Sequence, residues 1–185
     1  HGGYGYIEET GAAQHLRDAR ISPIYEGTNG IQAMDLVGRK LPMSEGAVIA
    51  DLLADIAGTV SDLASAGGDF ESISAGLADA LAATEEATTW LMEHGLADPN
   101  EAMAGASPYL RMFGQLVGGW LIARLALGAH RRILAGEGDA DFLGSKIVAA
   151  RFYAEQLLPV TRAQLGAVTA GAGDLYAVAD DAFSA

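Results

Sequence analysis

The stretch Val48-Ile49-Ala50-Asp51-Leu52-Leu53-Ala54-Asp55-Ile56 decides the fold class of this chain. Its large apolar residues recur at steps of three and four positions, which is the period of one face of an α-helix. The pattern continues to Val60, and Gly67-Gly68-Asp69 ends it. Ahead of it, Ser44-Glu45 supplies an N-cap and an early acid. The stretch therefore predicts a helix over residues 44–66.

The same period recurs along the rest of the chain. Further helices are predicted over residues 8–20, 28–41, 70–94, 99–134 and 140–168. No segment alternates at a period of two, so strands are not predicted. Because the later helices are long and joined by short Gly, Pro or Asp turns, we expect an all-α fold, an antiparallel helical bundle. A domain boundary is expected near Pro42, with a motif-dense segment over residues 1–42 and a motif-poor bundle over residues 43–185.

Individual glycines and prolines refine these boundaries. The run Gly2-Gly3-Tyr4-Gly5 predicts a loop, and Gly95 is expected just past the end of the fourth helix. Ser107-Pro108 is expected to divide or kink the fifth helix. Pro159 is expected to bend the sixth helix. The tail from Gly171 onward is expected to pack as a loose end.

Composition excludes several classes of protein. The chain has 185 residues, half of them hydrophobic, and a formal net charge of −13, which disfavours a nucleic-acid partner. There is no cysteine, and His15, His94 and His130 lack paired-ligand spacing, so no metal site is predicted. The most apolar window, residues 116–129, is interrupted by Arg124 and is expected to be a buried helix, with no membrane span.

The start of the chain has neither an initiator Met nor the basic and apolar regions of a secretory signal. We therefore expect residue 1 to be an internal point of a longer chain. The absence of cysteine agrees with a cytoplasmic location.

Glu26 has two possible roles. It precedes a predicted helix N-terminus that Thr28 or Asn29 could cap, and the helix dipole favours a carboxylate there, so one role is structural. The other role is chemical, because the apolar pair Ile24-Tyr25 suggests partial burial and Gly27 allows another molecule to approach the backbone. A desolvated carboxylate has a raised pKa and can act as a general base near neutral pH.

A linked set of motifs covers about the first 41 residues. In order, they are Gly2-Gly3-Tyr4-Gly5-Tyr6, Glu8-Glu9, Arg17-Asp18-Ala19-Arg20-Ile21, Ile24-Tyr25-Glu26-Gly27-Thr28 and Ile31-Gln32. Their order and spacing resemble the C-terminal segment of flavin-dependent acyl-CoA dehydrogenases. The stretches over residues 29–41 and 149–159 are similar to a larger bacterial branch of that family, which adds a C-terminal helical domain and includes 3-methylmercaptopropionyl-CoA dehydrogenases.

The resemblance implies roles for particular residues. Glu26 would be the base that removes the α-proton of an acyl-CoA thioester, while the β-hydrogen leaves as hydride to FAD and trans-2-enoyl-CoA forms. Gly2 and Gly3 would lie against the adenosine-diphosphate part of FAD, usually that of a neighbouring subunit, and Thr28 would reach FAD of its own subunit. Arg20 is expected to be structural, pairing with an acid such as Asp18 or Glu9. Many relatives have Gln where Gly30 stands here, so a flavin contact by that side chain is expected to be lost or shifted.

The resemblance also implies partners. These are an acyl-CoA substrate of fatty acid β-oxidation, electron-transfer flavoprotein as electron acceptor, and further copies of the chain in a homodimer or homotetramer. The chain alone is expected to be inactive, because the upstream part would supply the flavin-ring site. Two alternatives stay open: a non-catalytic helical interaction or oligomerisation module, and an acyl-CoA oxidase. The sequence does not reveal the acyl chain length.

Overall fold

The computed structural model describes residues 1–25 and 27–184, and every regular element in that part of the chain is a helix. The α-helices are α1 (Ala12–Ile21), α2 (Asn29–Asp35), α3 (Ala47–Ala66), α4 (Glu71–Ala97), α5 (Pro99–Ala104), α6 (Ala106–Leu134), α7 (Ala140–Gln156), α8 (Pro159–Ala163) and α9 (Leu165–Val168). A π-helical turn, Leu36–Lys40, continues α2. Short 3-10 turns occupy Gly2–Gly5, Glu8–Thr10, Met43–Gly46, Gly68–Phe70, Gly173–Tyr176 and Asp180–Ser184. The all-α prediction is confirmed.

The four long helices α3, α4, α6 and α7 form an up-down-up-down bundle. Phe70, just before α4, packs edge-on against His130 near the end of α6, with ring centroids 5.0 Å apart. Farther along α4, Thr88 lies 2.7 Å from Tyr109 in the first turn of α6. The two helices are therefore antiparallel. Short turns connect α3 to α4 and α6 to α7, and each connected pair packs together, as expected of such a bundle.

Helices α4 and α6 supply the centre of the core. Glycines let the neighbouring helices approach them closely. A Cβ at Gly76 would lie 2.8 Å from the carbonyl oxygen of Ala154, and one at Gly119 would lie 2.8 Å from Cδ2 of Leu158. Removal of apolar faces from water drives this packing. The largest apolar side chains that are fully buried are Leu41, Ile56, Leu63, Ile73, Leu77, Met112, Leu116 and Val168.

The predicted start of the helix over residues 44–66 is wrong. Helix α3 begins at Ala47, and its N-cap residue is Gly46 with φ of 87°. Ser44 and Glu45 have φ of 52° and 58°, in the left-handed region, so Ser44 does not act as an N-cap. The helix begins only after this left-handed turn, and Gly67 ends it as expected.

The first predicted helix is shorter than expected. Gly11 has φ of 74°, and α1 therefore starts at Ala12 instead of residue 8. Residues Glu8–Thr10 form a separate 3-10 turn. The glycine run predicted to be a loop forms another 3-10 turn, Gly2–Gly5.

Gly95 does not end the fourth helix, which continues to Ala97. A Cβ at Gly95 would lie only 2.8 Å from the Cβ of Ala102 in α5. The glycine therefore serves close packing between α4 and α5 instead of helix termination. Asp98 caps α5, since its side chain accepts a hydrogen bond from the amide of Asn100.

Two prolines interrupt the later helices, Pro108 as expected and Pro159 more strongly than expected. Proline has no N–H, so Pro108 cannot donate to the carbonyl of Ala104. The fifth predicted helix breaks there, with Gly105 between α5 and α6. Pro159 does not bend one long helix but separates α7, which ends at Gln156, from the short helix α8.

Helix α6 is long and apolar enough to cross a membrane by length and composition, and within the described residues it is the one helix that meets this test. In its most apolar window 39% of the residues are buried inside the bundle. Length and composition are weak grounds for a span, because the core helix of a soluble protein can meet the same test. In this fold α6 packs against α3, α4 and α7.

Candidate functional site

The candidate site lies in the segment that precedes the bundle. Helix α1 packs mainly against the two 3-10 turns before it. The chain then turns, and the amides of Ile24 and Tyr25 both donate to the carbonyl of Ile21, at 2.9 and 3.1 Å. Thr28 is the N-cap residue of α2. Glu26, the predicted base, stands between Tyr25 and Gly27 in the sequence and lies outside the described residues.

Gly27 is held in a conformation that other residues rarely adopt. Its φ is 121°. A Cβ at this position would lie 3.0 Å from Nε2 of Gln32 and 3.0 Å from Cγ2 of Ile31. The backbone angle therefore favours glycine beside the predicted base, and a Cβ would also crowd the side chains of Ile31 and Gln32. Sequence reasoning identified only the access that a glycine gives to another molecule.

The other predicted site residues are exposed. Thr28 takes an extended backbone conformation, and its hydroxyl makes no capping hydrogen bond. Thr28 therefore occupies the expected N-cap position, but its side chain does not cap the helix. Gly2 and Gly3 lie in the first 3-10 turn, and a Cβ at either would meet nothing within 4 Å. This turn packs against α1, whereas α2 packs on α6, so the described elements hold the glycines and Thr28 on separate substructures.

Three buried apolar side chains fasten the site segment to the bundle. They are Ala33, Val37 and Leu41, spaced four residues apart. A Cβ at Gly38 would lie 2.6 Å from Cε of Met103, so the π-helical turn sits directly on α5. The helix predicted over residues 28–41 is therefore correct in extent. Its π-helical part, a feature often found at functional sites, has no signal in the apolar pattern.

Asp35 pairs with two basic residues at this junction. Arg39 donates to both carboxylate oxygens of Asp35, with Nη2 2.9 Å from Oδ2, and Nζ of Lys40 lies 3.3 Å from Oδ2. Hydrogen bonding from Arg39, assisted by Lys40, lowers the pKa of Asp35 to about 2. Both cations are thus engaged by a carboxylate of their own segment.

The predicted pairing of Arg20 with a neighbouring acid is absent among the described residues. Arg17 forms the ion pair on this helix, with Nη2 3.5 Å from Oε1 of Glu8. Asp18 accepts a hydrogen bond from Nε2 of Gln14 at 2.7 Å. Glu8 and Asp18 therefore have partners other than Arg20.

The site segment presents apolar side chains that the bundle does not cover. Ile24 and Tyr25 are more than half exposed beside the predicted base, at 60% and 54%. Other exposed apolar residues of the segment are Leu16, Ile21, Ile31 and Met34. These side chains are open to contact by another structure or a ligand.

The histidines have structural neighbours. His94 stacks on Trp90 with ring centroids 4.1 Å apart, and His130 packs on Phe70. Residues 1–25 and 27–184 contain no group of three or more His, Asp or Glu side chains that could hold a metal ion. Four aromatic side chains pack against the core while half-buried: Trp90, Phe113, Trp120 and Tyr153.

Two family models match this chain. The model described as acyl-CoA dehydrogenase, C-terminal domain, matches residues 1–41. The model described as acetyl-CoA dehydrogenase C-terminal like matches residues 52–179.

Curated proteins give the same result. The 3-methylmercaptopropionyl-CoA dehydrogenase of Ruegeria pomeroyi is 43% identical over 169 residues, which cover 91% of this chain and 29% of that protein. The broad-specificity linear acyl-CoA dehydrogenase of Mycobacterium tuberculosis is 32% identical over 174 residues, with coverage of 86% and 27%. The short-chain specific acyl-CoA dehydrogenase of Megasphaera elsdenii is 64% identical over 33 residues, with coverage of 18% and 9%. The chain therefore spans less than a third of the length of these relatives.

Proposed function

Because the chain belongs to the acyl-CoA dehydrogenase family, we propose that it is the C-terminal part of a flavin-dependent enzyme that oxidises an acyl-CoA thioester to a trans-2-enoyl-CoA. The observation that carries this proposal is the segment Ile24-Tyr25-Glu26-Gly27-Thr28. Its glycine adopts a φ of 121° in a space that a larger residue would overfill. The helix that follows it is anchored in the core of the bundle.

Glu26 is the proposed catalytic base, whose carboxylate accepts the α-proton of the substrate. A thioester α-proton is too weakly acidic for an unaided carboxylate, so the thioester carbonyl must be polarised at the same time. In this proposal the backbone N–H of Glu26 donates to that carbonyl. The exposed apolar side chains of Ile24 and Tyr25 would exclude water from the carboxylate once substrate or the rest of the enzyme covers them.

The residues present fit FAD. Gly2 and Gly3 expose their backbone with open space at each Cβ position, which permits close approach to a pyrophosphate. Thr28 is exposed, and its hydroxyl is not used as a helix cap. Bound FAD would supply the acceptor for the β-hydrogen, which leaves as hydride. We assign Thr28 to FAD of its own subunit and Gly2 and Gly3 to that of a neighbour, and the proposal therefore includes a homodimer or homotetramer.

Further parts of the proposal concern the partners. Electron-transfer flavoprotein is the proposed electron acceptor, the cytoplasm is the proposed location, and fatty acid β-oxidation is the proposed process. The motif does not specify the acyl group.

The test uses the full-length protein that carries this chain. Purified protein is mixed with an acyl-CoA without oxygen while the flavin absorbance is followed. We expect yellow wild-type protein to bleach and the Glu26→Gln variant to bind FAD but stay yellow. Glu45→Gln is the matched control, since it makes the same chemical change at an exposed residue outside the motif, and it should bleach as the wild type does.

Other outcomes would change the proposal. If the protein is colourless and does not take up added FAD, the chain serves a non-catalytic helical module. If Glu26→Gln bleaches at the wild-type rate, the base is another residue. If reduced wild-type protein is rapidly reoxidised by oxygen with hydrogen peroxide as product, the enzyme is an acyl-CoA oxidase.

A further inference from the structure

A groove between α6 and α7 combines basic and apolar side chains. Its volume is about 370 Å³, which lies in the range of small-molecule sites. We call it the distal groove. Its basic residues are Arg124, Arg132 and Lys146, and its main apolar residues are Leu125, Phe142 and Leu143.

Aromatic rings hold two of the three cations in place. The guanidinium of Arg124 lies 5.0 Å from the ring centroid of Trp120. The ammonium of Lys146 lies 4.2 Å from the ring centroid of Phe142. Such contacts orient a cation without neutralising its charge. Both cations therefore stay available to an anion.

The third cation lies beside a glycine. Nη2 of Arg132 lies 2.8 Å from where a Cβ at Gly138 would be, so the guanidinium occupies space that this glycine leaves open. Among the described residues, none of the three groove cations forms an ion pair. The ion pairs use other basic residues: Arg17, Arg39, Lys40, Arg131, Arg151 and Arg162.

This accumulation of positive charge is unexpected in a chain of net charge −13 with only 11 basic residues. Arg124 also borders a second cleft that contains Asp55 and Asp62, so its charge is partly offset. Arg132 and Lys146 are therefore the strongest anion-binding groups of the distal groove.

The distal groove shares no lining residue with the candidate active-site segment. Its lining residues lie between positions 124 and 146, on α6 and α7, whereas the candidate segment covers residues 1–41. The groove is thus a separate cavity.

We propose that the distal groove binds a soluble anionic amphiphile, with a phosphate or carboxylate head and a linear apolar tail. The head contacts Arg132 and Lys146, and the tail lies along Leu125 over Gly128. A second copy of the chain fits less well, because a two-fold contact would bring like charges together. The net charge of −13 likewise opposes docking on an anionic membrane.

The test measures binding of decyl phosphate to the full-length protein by titration calorimetry, below the micelle concentration. Decyl maltoside, with the same tail and a neutral head, is the control ligand. Gly128 lines the groove, and a Cβ there would meet nothing within 4 Å. Gly128→Met should therefore fit the fold while its side chain fills the groove. Gly114→Met is its matched control, since Gly114 lies on the same helix with equally open space. Arg132→Gln removes a groove charge, and Arg131→Gln removes the neighbouring charge outside the groove.

We expect decyl phosphate to bind saturably, and about tenfold more tightly than decyl maltoside. Gly128→Met and Arg132→Gln should each weaken its binding about tenfold, while both control variants bind as the wild type does. Equal binding by Gly128→Met and Gly114→Met would overturn the proposal, and so would equal affinity for the two ligands. Binding confined to vesicles that contain phosphatidylglycerol would assign the groove to a lipid surface instead. The readout is independent of enzyme activity, so it does not depend on the proposed function.

Discussion

Tyr109 donates its phenolic hydrogen to Thr88 inside the bundle, across 2.7 Å between the two oxygens. The direction follows from the second bond of Thr88, whose single hydroxyl hydrogen goes to the carbonyl of Thr84, 2.6 Å away. A carbonyl oxygen can only accept, so Thr88 has no hydrogen left to give Tyr109. Both side chains are buried, and the bond links α4 to α6 at the centre of the core.

Removing the acceptor should cost more stability than removing the donor. Thr88→Val leaves the buried hydroxyl of Tyr109 without a partner, and we expect a loss of ~1–3 kcal/mol in the free energy of unfolding. Tyr109→Phe leaves Thr88 still bonded to Thr84, so we expect a loss of only ~1 kcal/mol. Urea unfolding of the single variants and the double variant measures both. A greater loss for Tyr109→Phe than for Thr88→Val would contradict the assigned direction.

The same tyrosine should make the chain sensitive to alkali. Burial raises the pKa of Tyr109 to about 12. The unfolded chain ionises this group near pH ~10. Its contribution to stability is therefore complete below pH ~10 and is lost as the pH rises toward 12. Between pH 9 and 12, the melting temperature of Tyr109→Phe should fall less than that of the wild type. Identical pH profiles of the two proteins would contradict this prediction. Burial also raises the pKa of Tyr153, and that contribution is common to both proteins.

Glycine should stabilise the left-handed turn before α3. Glu45 has φ of 58°, a conformation that costs a residue with a side chain ~1 kcal/mol or more. We expect Glu45→Gly to raise the free energy of unfolding by up to ~1 kcal/mol, measured by urea denaturation. Ala50→Gly in the exposed part of α3 is the control and should lower it by ~1 kcal/mol, because glycine weakens a helix interior. Destabilisation by both changes would mean that the side chain of Glu45 matters more than its backbone.

Two glycines near and within α6 should respond oppositely to alanine. A Cβ at Gly105 would collide with the backbone oxygen of Val168, so Gly105→Ala should lower stability by ~1–3 kcal/mol. Gly114 is exposed within α6, and an added Cβ would meet nothing within 4 Å. Gly114→Ala should therefore raise the free energy of unfolding by ~0.5–1 kcal/mol. Melting temperatures of the two variants decide the matter. Similar shifts in both would show that the helix break relaxes around the added methyl group.

Asp35 should stay ionised in moderately acidic solution. Hydrogen bonding from Arg39 lowers its pKa to about 2, against about 3.9 for an unperturbed Asp. The carboxylate therefore contributes stability that is complete above pH ~4 and is lost as the pH falls toward 2. Carbon NMR of the Asp35 carboxyl group measures the midpoint directly, and Arg39→Gln should move it upward. A midpoint near 4 in the wild type would exclude the forked ion pair in solution.

The helical class follows from the sequence because the three- and four-residue period of Val48 to Val60 is a property of neighbours in the chain. The start of α7 could also be predicted, since Asp139 caps it through the amide of Phe142, only three residues away. The family resemblance is equally local, because its motifs lie within about 41 residues. The roles of Glu26, Gly2, Gly3 and Thr28 stay predictions that depend on that resemblance.

Contacts between distant residues decided what the sequence could not. Gly95 has the sequence character of a helix end, yet α4 continues to Ala97, and the glycine lets Ala102 of α5 approach closely. The cations of the distal groove are scattered over residues 124–146, and only the packing of α6 on α7 gathers them. By itself the sequence determined the helical class and the motif that suggests the chemistry. The tertiary structure decided where helices stop, which glycines are indispensable and which charges remain unpaired, because each depends on the distance between groups far apart in the chain.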